Sequence, residues 1–289
     1  MQIGYLLGDP MNIARTPGML AFCVSAAALA ADAPPLFPDP ALEAAVRSHV
    51  FGKRDNKEPL TADDVRNLSG LKASGKGIGS LAGLEQCASL MSLDLAGGEI
   101  SDLGPIKALT NLQSITLSNN KIASLAPLAG MSRLQYLELT GNQVADLGSL
   151  AQLTTLNSLY LSNNKIQDLK PLSGLTKLWS LYLDGNQVAG LSPLGALKNL
   201  ASLDLRRNKV KDLSPLAPLN SLHYLMLEGN AITDLTSLIA FCKKDADGEK
   251  RFAPYLMVYL TGNPLSAAAK KTQIADLKKV VHTVTFEAK

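Results

Sequence analysis

A fixed period of 22 residues is the feature that most restricts the fold of this chain. The pattern L-x-x-L-x-L-x-x-N-x-[IV]-x-x-L begins at Leu68 and restarts every 22 residues, without insertion, as far as Leu222. A further block begins at Tyr255, after a unit of 33 residues. Periods of about 20 to 50 residues indicate stacked units, because each unit buries its apolar face only against its neighbours. We therefore expect a solenoid.

Each unit combines the period of a short strand with an apolar return segment. Its first, fourth and sixth residues are apolar, as in Leu156, Leu159 and Leu161, and this spacing places side chains on one face of a strand. Prolines recur in the return segment and favour short 3₁₀ turns or extended chain over a long α-helix. The pattern is identified as the leucine-rich-repeat signature. It predicts an α/β solenoid with a curved parallel sheet on the concave side and 3₁₀ or extended segments on the convex side.

An asparagine stands at the ninth position of most units. Its side-chain amide is suited to bond backbone groups of the turn that leaves the strand, which would otherwise be buried unpaired. We interpret the asparagines as a structural ladder rather than a ligand site. Lys76 and Gly98 take this place in the first two units, which suggests a degenerate start next to a cap. The ladder consists of Asn120, Asn142, Asn164, Asn186, Asn208, Asn230 and Asn263.

The sequence outside the repeats predicts an export signal and two caps. An apolar run, Met19–Ala30, follows Arg15 and ends in Ala-Leu-Ala, which is typical of a secretory signal peptide, and Met11 is the expected start. In the N-terminal cap, Asp39 is expected to cap one helix. The expected divisions are a signal peptide at 1–31, a helical N-cap at 36–67, about nine repeats at 68–265 with an insertion at 243–253, and a C-terminal cap at 266–289.

Several segments resemble a known family. The I-x-D-L-x-P-L form of residues 166–172 is similar to the 22-residue repeats of bacterial internalin-like proteins. Residues 37–42 and 60–65 resemble the helical N-cap of such exported proteins, and residues 251–266 resemble a module of exported leucine-rich-repeat proteins of environmental bacteria. The resemblance implies an exported protein that binds another protein through its concave face. Because 26 residues follow Asn263, too few for the immunoglobulin-like domain of true internalins, host-cell adhesion is not carried over.

Composition argues against several other classes of protein. A net charge of +3, with no Lys/Arg run longer than two, does not favour a nucleic-acid partner. No apolar stretch reaches the ~18 to 20 residues that a membrane-spanning helix needs. His49, His223 and His282 lie too far apart in a solenoid to form one metal site or triad. We expect no catalytic residues, no cofactor and no metal, and a monomer.

The two cysteines of the repeat region fit the same interpretation. Cys87 takes a core position, whereas Cys242 follows the core residue Phe241 and is expected to be exposed. They lie about 34 Å apart at roughly 4.8 Å per strand, too far for a disulfide.

The surface positions of the strands carry the functional prediction. The third, fifth and seventh residues of each unit point away from the core, and tyrosines and charged residues gather there, the composition of binding hot spots. Stacking in register is expected to place Arg206 between Asp184 and Glu228. These charges either pair only with one another on the surface or form a polar site for a partner. The expected partner-binding residues are Tyr136, Tyr160, Trp179, Tyr182, Asp184, Asp204, Arg206, Tyr224, Met226, Glu228 and Tyr259.

Two alternatives to an exported, non-catalytic protein-binding module stay open. A cytoplasmic regulatory scaffold, like phosphatase-binding proteins with this repeat subclass, would show no cleavage of a signal peptide. A polysaccharide-binding or hydrolysing protein would need a carboxylate pair about 5 to 10 Å apart in a cleft, for which Asp184 and Asp204 are the candidates. A surface polymer is accordingly a second possible class of partner. The expected location is periplasm, cell surface or medium, and the insertion at 243–253 is either a lid or part of the C-terminal cap.

Overall fold

A computed structural model of the chain describes residues 34–287, so the predicted signal peptide at 1–31 lies outside the described residues. The described part forms one sheet of ten parallel strands that neighbour each other in chain order, which confirms the predicted solenoid. Each strand contains three residues and pairs in register with the next unit. The strands are β1 (Gly70–Lys72), β2 (Ser92–Asp94), β3 (Ser114–Thr116), β4 (Tyr136–Glu138), β5 (Ser158–Tyr160), β6 (Ser180–Tyr182), β7 (Ser202–Asp204), β8 (Tyr224–Met226), β9 (Met257–Tyr259) and β10 (Thr283–Thr285).

Short helical segments carry the chain back from one strand to the next. Most are 3₁₀ turns with proline in their first turn, as the sequence predicts. Four α-helices occur in the described chain: α1 (Pro40–His49), α2 (Ala62–Val65), α3 (Thr236–Asp247) and α4 (Ile274–Leu277). The 3₁₀ turns are Leu84–Gln86, Gly104–Ile106, Ala126–Leu128, Gly148–Leu150, Lys170–Gly174, Ser192–Ala196, Ser214–Leu216 and Ala253–Tyr255, and a π-helix, Ala269–Gln273, leads into α4.

The asparagine ladder joins consecutive units through buried backbone groups. The Nδ2 atom of Asn164 donates to the carbonyl oxygens of Leu139 (2.9 Å) and Leu161 (3.0 Å), which belong to two different units. Its Oδ1 atom accepts from the Val144 N–H at 2.9 Å. The same bonds recur at the other asparagines of the ladder. Without these bonds the turn would bury unpaired peptide groups, so the ladder is structural.

Gly98 stands where later units carry the ladder asparagine, and the close packing of the first units accounts for it. A Cβ atom at residue 98 would lie 2.4 Å from the Ile78 carbonyl oxygen and 2.9 Å from the Asn120 side chain. Glycine allows the first units to approach this closely. The ladder bonds of the asparagine side chains therefore begin at Asn120.

Asp39 connects the N-terminal cap to the first repeat. One carboxylate oxygen accepts from the backbone N–H groups of Ala41 and Leu42 and caps α1 as predicted, while the other accepts from Gly79 (2.8 Å) and Ser80 (2.9 Å). Burial raises the pKa of Asp39, but these four donors outweigh it and hold the pKa below its ordinary value of 3.8. Thr61 forms a capping box at α2 with Asp64.

The insertion lies on the convex side and does not cover the concave face. Residues 243–253 form the end of α3 and the turn after it, and α3 packs against the 3₁₀ turns of the return segments and against α4. Asp245 holds this turn closed, because its carboxylate accepts from the backbone N–H groups of Phe252 and Ala253. The suggestion of a lid is wrong for this reason.

The ninth unit differs from its predicted alignment at one position. Leu256 is fully buried and takes the first core position, whereas Tyr255 is 58% exposed at the end of a 3₁₀ turn. The longer return segment arrives at β9 by a different path and turns residue 255 outward. The register of β9 is unaffected, since Tyr259 pairs with Met226 as the 33-residue spacing requires.

Loss of one ladder asparagine is expected to destabilise the solenoid strongly. Asn164→Ala leaves buried carbonyl and N–H groups of two units without partners, and we expect the free energy of unfolding to fall by about 3 kcal/mol. Urea denaturation followed by circular dichroism measures this. Asn157→Ala, at an exposed position just before β5, is the matched control. An equal, small effect of both substitutions would contradict the structural role of the ladder.

The clamp made by Asp39 is expected to depend on pH. Because its folded-state pKa is lowered, its stabilisation is complete above the unfolded value of about 3.8 and is lost as pH falls through the folded-state pKa. The Tm difference between the unmodified chain and Asp39→Ala should be largest at neutral pH and should shrink as the pH falls below 3.8. A difference that stays constant from pH 7 to pH 2 would refute an ionised clamp.

Candidate functional site

The outward side chains of the strands form two rows along the concave face. In-register pairing aligns the first residue of each strand with the first of the next, as in Tyr136 with Ser158, and the third with the third, as in Glu138 with Tyr160. Because the sheet is parallel and every strand has three residues, side chains from distant parts of the chain become neighbours at one strand spacing, about 4.8 Å. We call these two rows, together with the seventh residue of each unit, the strand face.

Three tyrosines of the strand face stack on one another. The ring centroids of Tyr136 and Tyr160 lie 5.4 Å apart, and those of Tyr160 and Tyr182 lie 4.9 Å apart with an interplanar angle of 27°. We call these residues the tyrosine stack. Each of the three residues is half-buried. Tyr160 packs against a neighbouring ring on both sides, whereas Tyr136 and Tyr182 each contact one ring of the stack. Stacked aromatic rings of this kind stabilise each other by about 1 kcal/mol and give a rigid surface.

The phenols of Tyr136 and Tyr160 are held in the neutral form. Burial raises the pKa of Tyr136, and the nearby Glu138 carboxylate raises it further. Burial also raises the pKa of Tyr160, and the neighbouring Tyr182 and Glu138 side chains raise it further. The hydroxyl groups therefore act as hydrogen-bond donors and acceptors at neutral pH.

The floor of the strand face lies at β7. All three residues of β7 are buried, unlike those of the other described strands, and the Tyr182 hydroxyl lies 3.3 Å from the Ser202 Oγ atom. Two exposed aromatic side chains lie around this floor. Trp179, just before β6, is 60% exposed, and Tyr224, on β8, is 45% exposed. Met226 and Tyr259 continue the rim, half-buried on β8 and β9. Exposed large apolar side chains around a packed floor are typical of binding surfaces.

Asp204 does not present its carboxylate to solvent. Its side chain is 0% exposed, and Arg206 covers it with bonds of 2.9 Å from Nε and 2.7 Å from Nη2. The hydrogen bond to Asp204 raises the pKa of Arg206 and fixes the guanidinium as a cation. Arg206 also lies 4.0 Å from Asp184 and near Glu228, as the stacking predicts, but its closest bonds are the bidentate pair to Asp204 of its own unit, which was not expected.

A second arginine, Arg207, binds Asp184 and was not predicted. Its Nε and Nη2 atoms donate to the nearly buried Asp184 carboxylate at 2.8 and 2.5 Å. Arg207 has a φ angle of 50°, at a position where the other units carry glycine or asparagine. A left-handed arginine is strained by about 1 kcal/mol or more. The departure from Gly or Asn at the eighth position is the sequence signal that could have identified it.

Glu228 is the one seventh-position carboxylate that lacks a hydrogen-bond partner. Its Oε2 atom is buried and unpaired, and no ion pair to it forms among residues 34–287. It lies near enough to Arg206 to raise the pKa of that guanidinium, after the contributions of Asp204 and Asp184. Glu228 therefore adds a negative charge to the strand face that the described chain does not compensate.

A depression at the N-terminal end of the strand face extends the site beyond the predicted units. It measures about 400 Å³ and is lined by His49, Lys72, Asp94, Thr116 and Tyr136, among others. Tyr136 thus belongs both to this depression and to the tyrosine stack.

The other reactive groups of the described chain are engaged or buried. Cys242 is fully buried, which corrects its predicted exposure, and burial raises the pKa of its thiol to about 12. Cys87 is also buried, and its pKa is likewise raised to about 12. Within residues 34–287 no group of three or more His, Cys, Asp or Glu side chains is arranged to hold a metal, and no helix has the length and hydropathy to span a membrane.

Comparison with solved structures finds the same fold in a plant receptor ectodomain. The ectodomain of the plant receptor kinase GASSHO1/SCHENGEN3 from Arabidopsis thaliana, solved in complex with Casparian strip integrity factor 2, matches 79% of this chain and 29% of its own. The identity is 19% and the TM-score is 0.62. An internalin (inlF) from Listeria monocytogenes is 23% identical over 90% of this chain and 100% of its own, with a TM-score of 0.45.

A nearer relative identifies the family. The family model described as leucine-rich repeats (2 copies) matches residues 110–152, 154–196, 176–218 and 198–240. A comparison with curated proteins gives no match. Internalin C2 from Listeria monocytogenes is 30% identical, covers 88% of this chain and 97% of its own, and superimposes with a TM-score of 0.63. The chain therefore belongs to the internalin-like leucine-rich-repeat proteins.

Proposed function

We propose that this chain is an exported, non-catalytic protein-binding module that recognises its partner through the strand face. The tyrosine stack is the observation that carries the proposal. Three phenol rings in mutual contact offer a preorganised, amphipathic surface, and binding hot spots are enriched in such residues. Trp179 and Tyr224 add exposed aromatic surface on the same face, close to β7.

The state of the carboxylates favours binding over hydrolysis. Asp184 and Asp204 are the pair that a glycoside hydrolase would need, yet each is hydrogen-bonded to an arginine. A general acid or base must be able to exchange a proton with the substrate. Carboxylates held by a permanent cation are poorly suited to that role, so we assign them to the scaffold of the surface.

Membership of the internalin-like family supports export and protein partners rather than a cytoplasmic scaffold. The apolar run at 19–30, typical of a signal peptide, also supports export. We propose that the chain acts as a monomer, with a protein as partner and a surface polymer as the second class of ligand to be tested.

Substitution of the tyrosine stack is expected to abolish capture of the partner. Tyr160→Ser with Tyr182→Ser removes two adjoining rings, and we expect a loss of affinity of at least about 2 kcal/mol, roughly thirtyfold. Pull-down from native envelope and culture-medium extracts, quantified by mass spectrometry, measures the loss.

Tyr255→Ser is the matched control, because Tyr255 is an exposed tyrosine on a 3₁₀ turn of the return segment. A protein retained equally by the double variant and by the control would move the site away from the strand face. Circular dichroism of each variant verifies that the solenoid is intact.

Arg206 is expected to act on stability, separately from the tyrosines. Arg206→Ala leaves the buried Asp204 carboxylate without its cation, and we expect the free energy of unfolding to fall by about 2 kcal/mol, since the 41% exposed arginine is partly screened by solvent. Arg133→Ala removes an exposed arginine and should change stability by less than about 0.5 kcal/mol. Urea denaturation distinguishes the two; equal effects would refute the structural role of the pair.

A further inference from the structure

The strand face and the rest of the chain differ in the sign of their charge. Over the units that contain β1 to β9, the third, fifth and seventh positions carry five carboxylates and two cations, whereas the whole chain has a net charge of +3. Arg206 and Arg207 neutralise Asp204 and Asp184. Lys72 faces Asp94 across β1 and β2. The carboxylates of this face that form no ion pair within residues 34–287 are Asp94, which accepts from the Ser74 hydroxyl, and Glu138 and Glu228.

Glu138 lies directly against the tyrosine stack. It pairs in register with Tyr160 and stands two residues from Tyr136 on the same strand, so its carboxylate adjoins both rings. One oxygen, Oε1, accepts from the Thr140 N–H at 2.9 Å, and the other has no hydrogen bond within the described chain. The face of Tyr136 that points away from Tyr160, with a carboxylate beside it, forms an environment that binds an ammonium or guanidinium group.

Glu228 provides a second anionic position at a defined distance. Four strand spacings separate β4 from β8, and Glu228 stands two residues further along its unit than Glu138. At about 4.8 Å per strand and about 3.3 Å per residue, the two carboxylates lie about 20 Å apart. An extended peptide covers this distance in about six residues, and an even separation places both side chains on the same side of the peptide.

We propose that the partner docks an extended basic segment across the strands, with one Lys or Arg over Tyr136 beside Glu138 and a second, about six residues away, at Glu228. This inference rests on the proposed function and specifies the chemistry of its partner. Tyr182 and the buried floor at β7 lie between the two anchoring positions and contact the intervening residues of the segment. The opposite charge of the rest of the chain orients an approaching basic segment toward the strand face.

Selection from random peptides tests the charge and the spacing of such a segment directly. A random dodecapeptide library is panned on the full chain, and the affinity of the enriched peptides is measured by fluorescence anisotropy. We expect enrichment of two Lys or Arg residues about six positions apart. We also expect Glu138→Gln and Glu228→Gln each to weaken binding by roughly fivefold, the effect of one partly exposed cation contact.

Glu99→Gln is the matched control, because it removes the same charge from an exposed residue that pairs with Lys121 at the tenth position, outside the strand face. It should leave affinity unchanged. Enriched peptides without basic pairs, peptides indifferent to Glu138→Gln and Glu228→Gln, or no enrichment at all would each overturn the proposal.

One variant separates failure of this inference from failure of the proposed function. If peptides without basic residues still lose binding to Tyr160→Ser, the strand face is a binding surface and only the basic character of the partner is wrong. If Tyr160→Ser has no effect on any enriched peptide, the proposed function itself fails.

Discussion

The pairing of buried backbone groups by the ladder asparagines is the constraint on which the rest of the molecule depends. A three-residue strand satisfies few of its own peptide groups, and the turn that follows it is enclosed between neighbouring units. Asn164 shows the solution, since one side chain serves carbonyl and N–H groups of two consecutive units. Each unit is thereby fixed in register to the one before it, and register is what brings the strand-face side chains into rows.

The periodic part of the structure could be predicted from sequence, because period and register follow from one repeated set of local rules. The strands, the proline-containing 3₁₀ turns and the cap at Asp39 all belong to this part. The failures concern residues whose choice of partner depends on distance in three dimensions. Arg206 forms its closest ion pair with Asp204 of its own unit. Cys242 is buried on α3, and Leu256, not Tyr255, occupies the core position at the start of the ninth unit.

The candidate site was predictable in composition but not in chemistry. Alternation within the strand identified which residues face outward, and this placed the tyrosines correctly on one face. It could not show that Asp184 and Asp204 are covered by arginines, because the eighth position, where Arg207 stands, lies outside the alternating pattern. The structure therefore divides the charged residues into a scaffold, formed by two ion pairs, and free anions at Glu138 and Glu228.

The uninterrupted spacing from Leu68 to Leu222 has a consequence for how such a surface changes over time. Gain or loss of one whole unit between two anchoring positions alters their separation by a single strand spacing and leaves the chemistry of both positions intact. A gain of another length must be accommodated in a return segment, as in the 33-residue unit between Asn230 and Asn263, across which the ladder bonds continue. On the proposed mode of binding, a change in unit number alters the reach between the two anchoring positions in steps of about 4.8 Å and leaves the local contacts at each position unchanged.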